Sequence, residues 1–181
     1  MSQTPAPTGT PMGPPPIAVI VSKYNASVTD RLLEGAKQAY LDAGGSDWTL
    51  GVVEAPGTFE LAHLAGVLVR QTLWRGVVCL GCVIKGETKH DEYLARAVSQ
   101  AIANLAVRTG TPIGFGVITA DTLEQAAARA GGDKGNKGAE AMNAVIESLH
   151  AIESVRRAMT TKQVAIHHQL RGKSSDKAGG A

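Results

Sequence analysis

The sequence predicts an α/β protein, a three-layer α/β/α sandwich on a four-stranded parallel sheet with helices on both faces. Three observations predict it. Four short apolar runs, Ile17–Val21, Trp48–Val53, Val77–Ile84 and Ile113–Ile118, alternate with stretches whose apolar residues recur at helical spacing. The runs are largely apolar throughout rather than alternating, as in strands covered on both faces. The connections between them are long enough for parallel crossovers, which are right-handed within one sheet. The 181 residues suffice for one domain with a sizeable core.

Each element has its own warrant. Pro14-Pro15-Pro16 excludes helix and offers a sheet no amide donors, so 1–16 reads as an extended or disordered Pro-rich arm. IAVIV at Ile17–Val21 is a β-branched first strand, followed by the turn Ser22–Asn25. Ser27-x-x-Asp30 has capping-box spacing and opens a helix carrying Leu32, Leu33, Ala36, Ala39 and Tyr40, which Gly44-Gly45 stops. Trp48–Val53 is the second strand, and Glu54–Gly57 a turn into a helix with Phe59, Leu61, Ala62, Leu64, Ala65, Leu68 and Val69 on a broad apolar face. Val77–Ile84 is the third strand. Thr88-x-x-Asp91 caps the next helix, whose stripe Tyr93, Leu94, Ala97, Val98, Ala101, Ile102 and Leu105 is the clearest amphipathic pattern in the chain. In Ile113–Ile118 two glycines flank Phe115, a sign that backbone or ligand comes close. Asp121-x-x-Glu124 caps a short helix, Gly131–Gly138 breaks it, and Met142, Val145, Ile146 and Leu149 mark the last helix. The pattern ends at Arg157, so the expected domain is 17–157 and 158–181 is a disordered basic tail.

Composition excludes several classes. The chain is 44% hydrophobic and 19% charged, ordinary for a soluble globular protein. No stretch approaches the roughly 20 apolar residues that span a bilayer, and no basic segment precedes an apolar core at the N-terminus, so a cytoplasmic location is expected. From Arg156 onward six basic residues face one acid, so that end carries +5 of a formal total of +2 and the remainder carries −3. The basic end reads as a solvated terminus. Cys79 and Cys82 form C-x-x-C, but inside a strand a three-residue offset sends the side chains to opposite faces. With no second pair there is no zinc pattern, and both read as buried thiols.

In a sheet of this kind the loops after the strands share one edge, where ligands bind. Tyr24 and Asn25 follow the first strand, and Phe59 and Glu60 the second. The third strand empties through Lys85–Lys89 onto a helix start, an anion-binding geometry, with His90 in the first turn. An aromatic face, a carboxylate, an anion nest and a proton carrier suit a flat polar heterocycle together with a phosphate. Taken singly, each residue keeps a plainer reading. His90 is a solvent-facing helix-start residue, Glu60 an acid against a helix dipole, Tyr24 and Phe115 core, and Arg129 a surface cation away from the strand-end edge. Gly131–Gly138 does not satisfy G-x-x-x-x-G-K-[ST], and Gly114-x-Gly116 lies within a strand, so neither is a nucleotide fingerprint. The turn after the first strand lacks the acidic pair that a phosphoacceptor domain needs.

Five motifs in register resemble the lumazine synthase family (the riboflavin synthase beta chain family). They are Tyr24-Asn25, Pro56–Glu60, Gly81–His90, Phe115–Thr119, and Glu124–Gly131 followed by Gly135–Gly138. The resemblance runs from Ile17 to Arg157. It implies a flavodoxin-like fold and the penultimate step of riboflavin biosynthesis. In that step 5-amino-6-(D-ribitylamino)uracil condenses with 3,4-dihydroxy-2-butanone 4-phosphate to 6,7-dimethyl-8-ribityllumazine, releasing phosphate and water. It implies that His90 moves protons and that Tyr24 stacks on the pyrimidine with Asn25 beside it. Thr58, Phe59 and Glu60 would hold the ribityl chain, Cys82, Val83 and Ile84 the pyrimidine edge, and Glu87 and Thr88 the phosphate. Phe115, Arg129 and Lys137 would reach the site of a neighbouring subunit. No metal or redox cofactor is implied. Pentamers are implied, and in part of the family twelve pentamers form a 60-mer shell. The unextended Gly131–Gly138 loop resembles that of shell formers, while the Pro-rich arm argues against a shell, and both forms stay open. Three positions depart from the family pattern: Lys85 stands where Arg is usual, Asp91-Glu92 follows the histidine, and Gly132-Asp133 precedes Lys134.

Overall fold

A computed structural model describes residues 13–160. The expected arm and tail fall mainly on 1–12 and 161–181, outside the described residues. The chain divides into two compact units between Leu149 and His150. The first holds the sheet. The described part of the second is helical as far as Thr160, three residues past the expected end.

Four parallel strands form the sheet: β1 (Ile17–Ser22), β2 (Leu50–Ala55), β3 (Gly76–Ile84) and β4 (Ile113–Ala120). Their spatial order is β2-β1-β3-β4. Ile17 pairs with both Leu50 and Gly76, and Val77 with Ile113. β1 and β3 are the inner strands, and every residue of β1 is buried. Their unbroken apolar sequences answer to cover on both faces.

The helices are α1 (Ala26–Asp42), α2 (Leu61–Leu68), α3 (His90–Thr109), α4 (Leu123–Ala128) and α5 (Lys137–Thr160). One core packs α1 and the first turns of α5 against Val19, Val78, Leu80 and Cys82. The other packs α2 and α3 against Ile20, Val77 and Cys79. Alternate residues of one strand thus feed opposite layers, and the two cysteines part as the three-residue offset predicts. The glycines around Phe115 let a helix approach: a Cβ on Gly114 would strike the carbonyl of Ala141 in α5. Phe115 itself is not core. It lies on the edge strand β4 with its side chain 45% exposed.

Several local readings are corrected. Ser27 does not cap α1. The cap is Asn25, whose carbonyl accepts from the amides of Val28 (2.9 Å) and Thr29 (3.1 Å), so Ser27 falls in the first turn. Trp48 is not in a strand. It sits 98% exposed in a 3-10 turn at Asp47–Thr49, and β2 begins at Leu50. Thr88 does not bond Asp91: its hydroxyl accepts from the His90 amide at 3.4 Å. Thr122, not Asp121, caps α4, accepting from Gln125 N at 3.3 Å. Gly131–Gly138 is not simply a break. It holds a small antiparallel hairpin, β5 (Ala130–Gly132) with β6 (Gly135–Asn136). No helix among the described residues is long and apolar enough to cross a membrane.

Burial pushes the Cys79 thiol up to about 12 and Cys82 up to about 11, from an ordinary 9.0. Both stay protonated in the folded chain where unfolded thiols ionise. Their contribution to stability is complete below the ordinary thiol value and is lost as pH rises through the folded values. At about pH 8, iodoacetamide should label neither cysteine in the native protein and both after denaturation. Rapid labelling of native protein, read by intact mass, would contradict this placement.

Candidate active site

β1 and β3 are neighbours, yet their crossovers leave in opposite directions, because α1 leads out to β2 and α3 to β4. A crevice opens where strand order reverses in this way. The loops there wall a groove of about 680 Å³.

The loop after β1 is held at both ends. Lys23 N donates to Ala55 O at 2.9 Å, and Tyr24 N to the buried Ser22 hydroxyl at 3.2 Å. Asn25 has φ 60°, the only positive φ outside glycine among the described residues. Asn tolerates that region better than other side chains. Its amide Nδ2 donates to the Cys82 carbonyl at 3.0 Å, tying the loop after β1 to the end of β3. Tyr24 is thereby left with its ring 70% exposed at the groove. That excludes its reading as core.

After β2, Thr58 is buried against Gly81, where a Cβ would come to 3.0 Å from the threonine hydroxyl. Phe59 is 63% exposed, and Glu60 stands at the start of α2 with its carboxylate near Gly57. From β3, Cys82, Val83 and Ile84 form the floor, and Thr88 and His90 close the far wall. His90 is exposed in the first turn of α3.

The groove therefore brings together Tyr24, Asn25, Thr58, Phe59, Glu60, Cys82, Val83, Ile84, Thr88 and His90. Glu87 is exposed in the same turn but is not among its walls. Phe115, Arg129 and Lys137 are not among them either. Arg129 follows α4 and donates from Nη1 to Gln125 O at 2.9 Å. Lys137 N donates to Arg129 O at 2.9 Å, and its Nζ pairs with Glu140. The two residues are joined through their backbones, and neither lines this chain's groove. Sequence reasoning missed Gly57, Lys85, Gly86, Asp91 and Leu94 as walls. Leu94 was detectable, since it lies one helical turn beyond His90 on the same face. Lys85 reaches Asp121 at 3.7 Å in an exposed pair.

Chemically, the groove offers two exposed rings, the two carboxylates Glu60 and Asp91, the Lys85 ammonium, backbone polar groups at a strand end, amides at a helix start and one imidazole. Cys82 is no nucleophile, because burial holds its thiol protonated. Among the described residues no three His, Cys, Asp or Glu side chains converge as metal ligands.

Residues 15–153 match the family model described as 6,7-dimethyl-8-ribityllumazine synthase. Curated relatives of the same name align over most of the chain. That of Campylobacter fetus is 40% identical over 140 residues, covering 77% of this chain and 90% of the relative. That of Sulfurospirillum multivorans is 43% identical with the same coverage. That of Nitratiruptor is 44% identical over 133 residues, 74% of this chain and 86% of the relative.

The Asn25 tie separates two energetic contributions. Asn25→Ala loses the bond to Cys82 O and strains the left-handed backbone, together about 2 kcal/mol. Asn25→Gly loses only the bond, about 1 kcal/mol. Urea unfolding should rank them in that order, and equal midpoints for both variants and the parent would refute the tie.

Proposed function

Because the chain belongs to the 6,7-dimethyl-8-ribityllumazine synthase family, we propose that its groove condenses 5-amino-6-(D-ribitylamino)uracil with 3,4-dihydroxy-2-butanone 4-phosphate. The enzyme is a transferase. Its product is 6,7-dimethyl-8-ribityllumazine, formed with release of phosphate and water, the penultimate step of riboflavin biosynthesis. One observation carries the reading: ten residues drawn from three separate motifs wall one groove at the strand-order reversal.

The pyrimidine lies against Tyr24 beside Asn25, with its edge on the backbone of Cys82, Val83 and Ile84. Thr58, Phe59 and Glu60 take the ribityl chain, the carboxylate accepting from hydroxyls. The ring amine attacks the ketone and expels water. Phosphate then leaves as a double bond forms, and the ribityl nitrogen closes the second ring with loss of a further water. Each step moves a proton, and His90 is the group on the groove wall whose ring nitrogens can both donate and accept it. Glu87 and Thr88, with the free amides at the start of α3, meet the phosphate. Much of the rate comes from holding two reactants together.

The site is completed by a neighbouring chain. Phe115, Arg129 and Lys137 serve the groove of an adjacent subunit, where the Arg fork grips phosphate. Two observations support assembly. This chain's groove has neither cation in its wall. Tyr24, Phe59, Tyr93, Val107 and Phe115 are left exposed, apolar surface that a neighbouring chain could cover. The assembly is a pentamer or a 60-mer of twelve pentamers, working in the cytoplasm. The sequence from 17 to 157 forms the catalytic domain.

Mixing the purified protein with the two substrates should raise lumazine fluorescence above the spontaneous rate, and no rise would refute the activity. His90→Ala should lower kcat and spare assembly. Arg129→Ala should raise KM for the phosphate-bearing ketone. Co-assembled in equal amounts, these two variants should recover about a quarter of intact sites, as random placement in a ring of shared sites requires. No recovery would mean that both residues act within one chain.

A further inference from the structure

The hairpin β5–β6 between α4 and α5 is rooted at the buried Ala130 and by Lys134 N donating to Ala128 O at 2.9 Å, and carries five consecutive exposed residues, 131–135. Asn136, its last residue, is the hairpin side chain that bonds outside it among the described residues. Its Oδ1 accepts from Gly138 N at 2.8 Å and Ala139 N at 3.2 Å, the N-cap pattern for α5. Its Nδ2 donates to the carbonyl of Arg31 in α1 at 2.8 Å. One amide therefore joins two helices that are distant in sequence.

The seat is built for it. A Cβ on Gly35 of α1 would collide with the Asn136 side chain. A Cβ on Gly138 would strike the Leu32 carbonyl and come to 3.0 Å from Asn136 Oδ1. Two helices thus give up side chains where this amide rests. Only Asn fits both bonds at this length. Asp keeps the cap but sets an anion against the Arg31 carbonyl, and Ser keeps the cap but falls short of α1.

What the amide holds is the pair of cations. Asn136 pairs with Ala130 across the hairpin, and the next residue, Lys137, donates its amide to Arg129 O at 2.9 Å. The chain of bonds runs from α1 through Asn136 to both Arg129 and Lys137. We propose that Asn136 is a positioning residue, latched to Arg31 in α1, that sets where Arg129 and Lys137 stand and so governs the grip on the phosphate-bearing substrate without touching it. This rests on the reading that Arg129 serves a neighbouring chain's site.

Asn136→Ser keeps the helix cap and removes the latch. In the assembled enzyme it should raise KM for the phosphate-bearing ketone by on the order of tenfold, as small displacements of a positioned group do. It should weaken inhibition by inorganic phosphate similarly and leave KM for the pyrimidine within about twofold. Gly35→Ala, which displaces the amide from the α1 side, should produce the same selective change. Unchanged constants overturn the proposal. So does a parallel rise in both KM values, or loss of assembly in both variants, since either reports a merely structural role. Arg129→Ala, measured alongside, keeps the two readings apart. If it leaves the ketone's KM unchanged, the phosphate reading itself fails. If it raises that KM and Asn136→Ser does not, only the positioning inference falls.

Discussion

The constraint on which the rest depends is that β1 and β3 are covered on both faces. A parallel pair in that position has no solvent face on which to place polar chemistry. Everything functional must leave through the strand ends. β3 runs on to Ile84 beyond the level where β1 ends at Ser22, and the order of the sheet turns their crossovers apart there. The single bond from Asn25 Nδ2 to Cys82 O spans that divergence. It fixes how far the two loops separate, and so the width of the floor between Tyr24 and Ile84.

The strands were legible because their apolar runs are unbroken, a pattern that solvent-exposed chain cannot sustain. The helices were legible from period 3.6, and their first turns were not. Ser27-x-x-Asp30 and Asp121-x-x-Glu124 both look like caps. Capping, however, depends on which carbonyl reaches which amide, and a one- or two-residue shift leaves the composition of the turn unchanged. Asn25 takes the cap by adopting φ 60° and anchoring elsewhere, information that is not local. Trp48 misled for a related reason. Its β propensity belongs to a half-buried surface, and the residue stands in solvent instead. The hairpin at 130–136 escaped notice because five exposed residues carry no periodic signal.

The groove divides along the same line. Residues carried on a strand end or a helix start can be placed by topology, so His90 was within reach of spacing, while Cys82 and Thr88 read as a buried thiol and a cap until the family resemblance gave them a role. Thr58 was expected at the substrate and is nearly buried, packed over Gly81. Its nearness to a glycine 23 positions later is a tertiary fact that no local window contains. Phe115, Arg129 and Lys137 stay off this chain's groove, and only the family resemblance gave them a role.

Charge explains why that role calls for a second chain. The groove is walled by the carboxylates Glu60 and Asp91, against His90 and Lys85. Lys85 is already turned toward Asp121 at 3.7 Å. A phosphate brought there meets two carboxylates, one engaged lysine and one imidazole, a balance too weak for an anion of about −2 charge. The helix-start amides supply partial charge only, on the order of half an elementary charge. In the proposed assembly a full, always-charged guanidinium comes from a neighbouring chain. Arg129 is half-buried, and its Nη1 donates to Gln125 O at 2.9 Å, which restrains the guanidinium more than a free surface cation. A rigid fork loses less rotamer freedom on meeting phosphate than a free side chain does. In the proposed assembly, each chain thus supplies the reacting groove for one substrate pair and the fixed cation for its neighbour's. Neither half is chemically sufficient without the other.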